Sequence, residues 1–360
     1  MPGIIGPLLR QAGRARRFLG AMERDIAIER FPTRRNRLVD QNSLKTRKLE
    51  QFPIHIEREW LQPGGVRQEA LHKPEGASTY MRFSLAPQAE ATGYRLLAFD
   101  VVEGSTNTDA MERARAGAEA NLWVVTSQQR GGRGRRGRSW EGPRGNLAAS
   151  LLVEPQCEPG MTATIGFVAG VALHEAVRVC APHLADSLRV KWPNDLLING
   201  GKASGMLLES EVLQRGRRVV VIGVGVNVVA APEGAPYAVA SLQQAGAHVN
   251  AASVFEALSA TWLEYFALWD NARGMRRIRD EWLSRAHGVG GAVAIQFGDE
   301  VIRGVFETID AAGQLVVRLP TGEARTITAG DVQFGDVGSF RGEAAAARPQ
   351  DGASQNAARI

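Results

Sequence analysis

From Tyr94 onward the chain alternates short apolar runs with amphipathic stretches, and this pattern predicts an α+β domain. Tyr94–Val102 (YRLLAFDVV) reads as a strand. Ser105-Thr106-Asn107 then supply N-cap chemistry, and Thr106-x-x-Asp109 has the form of a capping box. A helix should run from there to about Ala116 and stop at Gly117. Leu122–Ser127 and Asn146–Val153 read as strands. Thr162–Val179 is predicted helical, because Ile165, Val168, Ala172, Ala176 and Val179 recur at three- and four-residue spacing. Leu188–Trp192 and Asp195–Ile198 are short strands around a Trp-Pro-Asn turn. Asn199-Gly200-Gly201 signals a hairpin. Lys202–Glu211 and Val219–Val228 complete a sheet, and Val254–Trp269 and Met275–Ala286 are amphipathic helices.

The texture changes near Gly288. Val293–Phe297, Val301–Ile309, Leu315–Leu319 and Ala324–Val332 are short strands separated by Gly-containing turns, which predicts a small β-barrel over residues 288–337. Residues 81–287 form the larger domain. Residues 338–360, rich in Ala, Gln and Arg, are expected to be disordered. Residues 1–80 differ from the rest of the chain, with scattered Leu and Phe among Arg, Gln and Glu. Helical patches around Leu8–Arg30 fit the pattern. Three readings of this extension stand: a disordered segment upstream of a native start at Met81, an accessory region, or a targeting peptide.

Charge sharpens the division. The chain of 360 residues carries net +5. Residues 1–80 hold 15 Lys/Arg against 9 Asp/Glu, a net +6, which leaves −1 for the rest. The basicity belongs to the extension, so the folded body lacks the background expected for tracking phosphate backbones. No uninterrupted apolar run approaches the roughly 18–20 residues of a membrane span. Cys157 and Cys180 show no metal or redox spacing, and a reducing cytoplasm is the expected setting.

Three segments carry candidate chemistry. Gln129–Trp140 (QRGGRGRRGRSW) has four glycines and five arginines. Its glycines preclude a stable helix and let backbone N–H groups approach an anion, while arginine offers forked donors to carboxylate or phosphate. Such a loop is costly to order and is expected to fold only over its ligand. By composition it also fits an RGG-like nucleic-acid segment, although its place between two strands argues otherwise. In Lys191–Glu209 (KWPNDLLINGGKASGMLLE), Lys202 leads from a hairpin into an apolar strand beside Gly205 and can reach an anion across bare backbone; a surface lysine is the plainer reading. Asp195 follows a rigid turn. In Val219–Val228 (VVVIGVGVNV), two glycines weaken a β-branched strand, which suggests close approach of a ligand or another backbone. A bulge explains them equally well. His174, His183 and His287 lack metal spacing, and His174 reads as structural.

Taken in order, GSTN at Gly104–Asn107, Q-x-x-GRGRRGRSW at Gln129–Trp140, KWPND at Lys191–Asp195, GK-x-x-G-x-L-x-E at Gly201–Glu209 and G-x-G-x-N at Gly223–Asn227 resemble the biotin–protein ligase family. The similarity covers roughly residues 90–336. It implies a mixed β-sheet flanked by helices, related to class II aminoacyl-tRNA synthetases and lipoate ligases, with a small C-terminal SH3-like barrel. It also implies ATP with Mg²⁺, biotin as substrate, and a biotin carboxyl carrier domain of a carboxylase as acceptor.

By this resemblance Lys202, Arg133, Arg135 and Asp195 are catalytic. Ser105, Thr106, Asn107, Gln129, Arg133, Gly134, Arg135, Lys202 and Gly205 meet biotin. Arg135, Arg138, Trp140, Asn194, Lys202 and Asn227 meet ATP or the adenylate. Metal ligands stay unassigned. The winged helix-turn-helix of repressor members does not read over residues 1–80, so a cytoplasmic, monofunctional ligase without DNA or membrane partners is expected. A lipoate ligase of the same fold and an Arg-rich nucleic-acid-binding module are the alternatives.

Overall fold

A computed structural model describes residues 81–334, apart from residues 141, 298–299 and 329. The expectations for residues 1–80, 335–337 and 338–360 lie outside the described residues.

A seven-stranded mixed sheet organises the larger domain. Its strands are β1 (Arg95–Phe99), β2 (Leu122–Thr126), β3 (Leu147–Val153), β4 (Leu188–Lys191), β5 (Asp195–Ile198), β6 (Gly201–Val212) and β7 (Arg218–Val226), in the order β1-β2-β3-β7-β6-β5-β4. β1 and β2 run parallel, joined across helix α2 (Thr106–Arg115), which comes after the short α1 (Pro87–Ala91). All other neighbours are antiparallel. The remaining helices are α3 (Ile165–Cys180), α4 (Ala251–Trp269) and α5 (Met275–Arg285). The Asn199-Gly200 turn has φ of 50° and 80°, the left-handed pair that a two-residue hairpin requires.

The two faces of the sheet have opposite texture because strand residues alternate. One face presents Met206, Val224, Ala149 and Val125 in one row and Leu208, Ile222, Leu151 and Trp123 in the next. These pack under α3 and α4 in the main core. The core is rich in tryptophan. Trp123 meets Phe255 edge-on at 5.4 Å, and Trp262 and Trp269 donate from Nε1 to the Tyr94 hydroxyl (3.0 Å) and Thr164 Oγ1 (2.9 Å). Trp262 and Trp269 are thus buried with their N–H groups satisfied, whereas the Trp123 Nε1 is buried without a partner. The opposite face carries only a small cluster, in which Ala110, Met111 and Ala114 of α2 cover Val124, Leu152, Val219 and Val221.

Strands β8 (Ala292–Phe297), β9 (Glu300–Ile309), β10 (Leu315–Arg318), β11 (Ala324–Ile327) and β12 (Asp331–Phe334) form a separate antiparallel sheet ordered β11-β10-β9-β8-β12. Val293, Ile295, Ile302, Phe306, Leu315 and Ile327 fill its inner side, consistent with the SH3-like domain expected. The two parts are fastened together: Trp192 Nε1 donates to Gly313 O (3.0 Å), and Arg279 Nη2 to Thr308 Oγ1 (3.0 Å).

Several expectations are corrected. Ala324–Val332 is two strands, because β11 pairs with β10 at one edge of the sheet and β12 with β8 at the other. The α2 cap is Ser105, whose hydroxyl accepts from Thr108 N, while Asp109 pairs with Arg113 instead of closing a box on Thr106. α4 begins at Ala251, with a reciprocal capping box between Asn250 and Ser253. The run Pro159–Cys180 is helical, long and apolar enough to cross a bilayer, yet 72% of its most apolar window is buried inside the fold.

His174 on α3 is buried, as expected for a structural histidine. Burial, aided by the nearby Arg285 charge, pulls its pKa down to about 4. The unfolded chain therefore binds a proton between about pH 6.5 and about pH 4 that the folded chain refuses. Stability is full above the upper value and falls as pH drops through this window, by about 3 kcal/mol in all. We expect the urea midpoint to fall between pH 7 and pH 4.5 more steeply in the parent than in His174→Gln. Equal losses in both proteins would contradict this account.

Candidate active site

The face of the sheet opposite the main core is nearly bare at one end. Across five strands the register aligns Lys191, Asp195, Gly205, Gly225 and Ala148. The neighbouring row on the same face is Leu207, Gly223 and Ser150. Directly opposed residues of antiparallel strands project to one side, so Gly205, Gly225, Ala148, Gly223 and Ser150 form a floor of small groups, flanked by Asp195 and Lys191 at one end of the first row. A cavity of about 740 Å³ stands above it.

What lies on the floor explains its glycines. A methyl on Gly225 would come within 2.5 Å of Trp140 Nε1, and one on Gly205 within 3.1 Å of Trp140 Cζ3 and 3.3 Å of Lys202 Cε. A methyl on Gly223 would collide with the Asn107 amide. Neither explanation open in the sequence holds as stated: the strand pairs without a bulge here, and what approaches is neither a ligand nor another backbone. The approaching groups are the protein's own side chains.

The N-terminus of α2 borders the cavity. Gln129 Oε1 accepts from Thr106 N (3.2 Å). Ser150 donates to Asn107 Oδ1 (2.6 Å) and lies 2.7 Å from the Thr106 hydroxyl. Asn107 Nδ2 in turn donates to Glu209 Oε2 (2.8 Å). Glu209 also receives Arg133 Nη2 at 2.9 Å, which draws the arginine–glycine loop onto the sheet. The loop is a compact hairpin in its own right: Gly134 N donates to Arg138 O (2.7 Å) and Trp140 N to Gly132 O (2.9 Å), with Arg136 and Gly137 at φ of 57° and 74°. The GSTN segment is zipped to its base by Gly131 N to Gly104 O (2.9 Å).

Lys202 stands at the centre. Its Nζ lies 2.8 Å from Asp195 Oδ1, with each side chain about four-fifths buried (21% and 16% exposed). The ammonium also lies 5.7 Å from the Trp140 ring and 5.6 Å from the Tyr237 ring. Its backbone is clamped by Ala238 O and Ala240 N at 2.8 and 3.0 Å. Beside it, Asn194 Nδ2 donates to Met206 O (2.5 Å) and Asn194 Oδ1 accepts from Arg135 Nη1 (3.2 Å). The Trp192–Pro193 peptide of this turn is cis.

The structure thus gathers Ser105, Thr106, Asn107, Gln129, Arg133, Gly134, Arg135, Arg138, Trp140, Asn194, Asp195, Lys202 and Gly205 around one cavity. Asn227 is outside the lining. It is buried, and its Nδ2 donates to Ala240 O (3.1 Å) and Lys202 O (3.4 Å), so it braces the backbone that carries Lys202. Lys191, which opens the KWPND motif but was given no role, also joins the lining, as do Tyr237, His287 and Phe334, to which nothing in their local sequence points. His287 read only as a stray histidine, and Tyr237 sits in a Pro/Gly-rich strap whose path no local pattern sets.

Residues 98–227 match the model of the biotin/lipoate A/B protein ligase family, and residues 289–335 that of the biotin protein ligase C terminal domain. Over 238 residues the chain is 38% identical to a biotin–[acetyl-CoA-carboxylase] ligase of Paracoccus denitrificans, spanning 64% of this chain and 97% of that relative. The chain belongs to the biotin–protein ligase family. The bifunctional ligase/repressor BirA of Bacillus subtilis is 30% identical over 71% of this chain and 78% of its own length. Among solved structures, the family member from Aquifex aeolicus in complex with biotin and ATP shares the fold, with a TM-score of 0.57 at 21% identity over 67% of this chain and 99% of that one.

On the glycine floor of this ligase-family site the closest packing is that of Asn107 on Gly223. Gly223→Ala should force the amide off its Ser150 and Glu209 partners and cost about 1–3 kcal/mol by overpacking. Chemical denaturation measures this directly, and an unshifted midpoint would mean that Asn107 does not rest there.

Proposed function

We propose that this chain activates biotin with ATP and transfers it to a carrier-domain lysine. In the first step a biotin carboxylate oxygen attacks the α-phosphorus of ATP, forming biotinyl-5′-AMP and releasing pyrophosphate. In the second, the amine of a lysine on the biotin carboxyl carrier domain of a carboxylase attacks the mixed anhydride, forming an amide and releasing AMP. The observation that carries this reading is Lys202, held 2.8 Å from Asp195 above a glycine floor and facing an arginine-rich hairpin.

The first step brings two anions together, so the barrier depends on cations fixed in advance. Lys202 and the loop arginines Arg133 and Arg135 supply that charge. The Lys202 ammonium is tethered to Asp195 and can turn toward an entering phosphate without crossing open solvent. Ser105, Thr106, Asn107 and Gln129 surround the biotin end, with the loop backbone at Gly134 and the bare strand at Gly205. Trp140 offers its face to adenine, and Arg135, Arg138 and Asn194 border the adenylate. Asn227 acts from beneath, by holding the Lys202 backbone. Once Lys202 engages phosphate, the Asp195 carboxylate is released to orient the acceptor lysine and take its proton, since only the neutral amine is a nucleophile.

Among the described residues no group of three His, Cys, Asp or Glu side chains could hold a metal ion. Mg²⁺ would arrive on the triphosphate, held mainly by phosphate oxygens, with the Asp195 carboxylate and the Asn194 amide as its protein neighbours. Bound there, it would neutralise phosphate charge. The arginine–glycine hairpin supports biotin over lipoate as substrate, and a concave cavity in a nearly neutral body argues against a nucleic-acid module. The free thiols of Cys157 and Cys180 suit the cytoplasm.

Lys202→Ala should slow biotin-dependent pyrophosphate release at least about 100-fold, near 3 kcal/mol of transition-state stabilisation, with unchanged circular dichroism; a near-parent rate would rule out its role. Arg135→Gly should shorten the lifetime of bound biotinyl-AMP, measured as its escape into solution. Retention equal to the parent's would remove the hairpin from the holding of the intermediate.

A further inference from the structure

We propose that Lys191, seated between the catalytic sheet and the C-terminal sheet, forms with His287 the subsite that receives the β- and γ-phosphates of ATP and holds pyrophosphate as it departs. The inference rests on the ligase reading above and extends it to a residue outside the groups assigned to biotin, adenylate or acceptor.

The first support is register. Lys191 is paired with Asp195, which is paired with Gly205, over which Lys202 and Trp140 lie. Strands are about 4.8 Å apart, so Lys191 stands about 10 Å from Gly205 along one row. Displacement at phosphorus keeps the attacking and leaving oxygens roughly in line. If the carboxylate comes from the α2 side, over Gly223 and Ser150, and the α-phosphate lies at Lys202, the leaving group is directed onward along the row. It passes beside Asp195 and arrives at Lys191.

The second support is the surroundings of Lys191. Its ammonium lies 5.8 Å from the Phe334 ring, and His287 meets the same ring edge-on at 5.3 Å. His287 is anchored by its own N–H to Val190 O at 2.8 Å, on the strand that carries Lys191. Burial, with the charges of Lys191 and Arg189, holds the His287 pKa below its usual value, so at neutral pH the imidazole is an uncharged hydrogen-bonding group beside a cation. Lys191, His287 and Phe334 all line the cavity. A half-buried lysine whose ammonium is held beside an aromatic ring is preorganised for a polyanion.

The test uses the full chain, with inorganic pyrophosphate as the probe. Lys191→Ala should weaken pyrophosphate binding by calorimetry, and raise KM for ATP, by about tenfold or more, while Lys191→Arg keeps most of both. The loss should be confined to the first half-reaction, so that transfer from supplied biotinyl-AMP to a carrier domain proceeds at the parent's rate. Pyrophosphate binding by Lys191→Ala equal to the parent's would overturn the subsite. A defect seated in transfer from supplied biotinyl-AMP would also overturn it, and would assign Lys191 to carrier docking. A parent enzyme that forms no biotinyl-AMP would sink the ligase reading itself. A parent that does, beside an indistinguishable variant, would sink the subsite alone.

Discussion

The site depends on one constraint: a sheet must be packed on one face and left almost without side chains on the other. The register that stacks Met206, Val224 and Ala149 under the helices also stacks Gly205, Gly225 and Ala148 on the opposite side. A one-residue slip would exchange these faces, placing valine in the cavity and glycine in the core. Burial of the apolar face therefore fixes the position of the glycine floor. The rigid tryptophan-rich layer beneath serves the chemistry by making that slip prohibitive.

On the floor, electrostatics takes over from packing. Lys202 is neither a solvated surface lysine nor an isolated buried charge. Asp195 answers its charge, two aromatic faces border it, and Asn227 and the Ala238–Ala240 strap fix its backbone. Two opposite charges 4 Å apart attract by about 4 kcal/mol at an effective dielectric of 20. An arriving phosphate can thus compete for the ammonium instead of having to desolvate it. The same logic runs through the hairpin, where Arg133 rests on Glu209. The cations are held near the reaction space by carboxylates that can give them up.

The floor glycines were legible as places of close approach, because two glycines in a β-branched strand need a reason. What approaches them was not, since Trp140 and Asn107 arrive from segments distant in sequence. Asn227 was misplaced for a related reason: its motif puts it next to the site, but its amide turns down to the backbone of Lys202. The arginine–glycine segment was expected to need a ligand in order to fold. Its hairpin is closed by Gly134 N to Arg138 O and Trp140 N to Gly132 O, pairings that composition does not announce. Ala324–Val332 read as one strand because its apolar content runs through the turn that separates β11 from β12.

The contribution of the C-terminal sheet was the least legible, and it stems from that same turn. β12 leaves the edge held by β11 and pairs with β8 at the other edge, which brings Phe334 to the edge of the catalytic sheet. Trp192, in the middle of the KWPND turn, is pinned to Gly313 of the C-terminal sheet, two residues before the first member of β10. The motif that carries Lys191, Asn194 and Asp195 is therefore held from both sides, by β6 through Met206 and by the C-terminal sheet through Gly313 and Phe334. A small β-domain that only decorated the enzyme would leave this turn to the catalytic sheet alone. Its hydrogen bond from the buried Trp192 and the contact of its Phe334 with Lys191 make it part of the wall beside Lys191, Asn194 and Asp195.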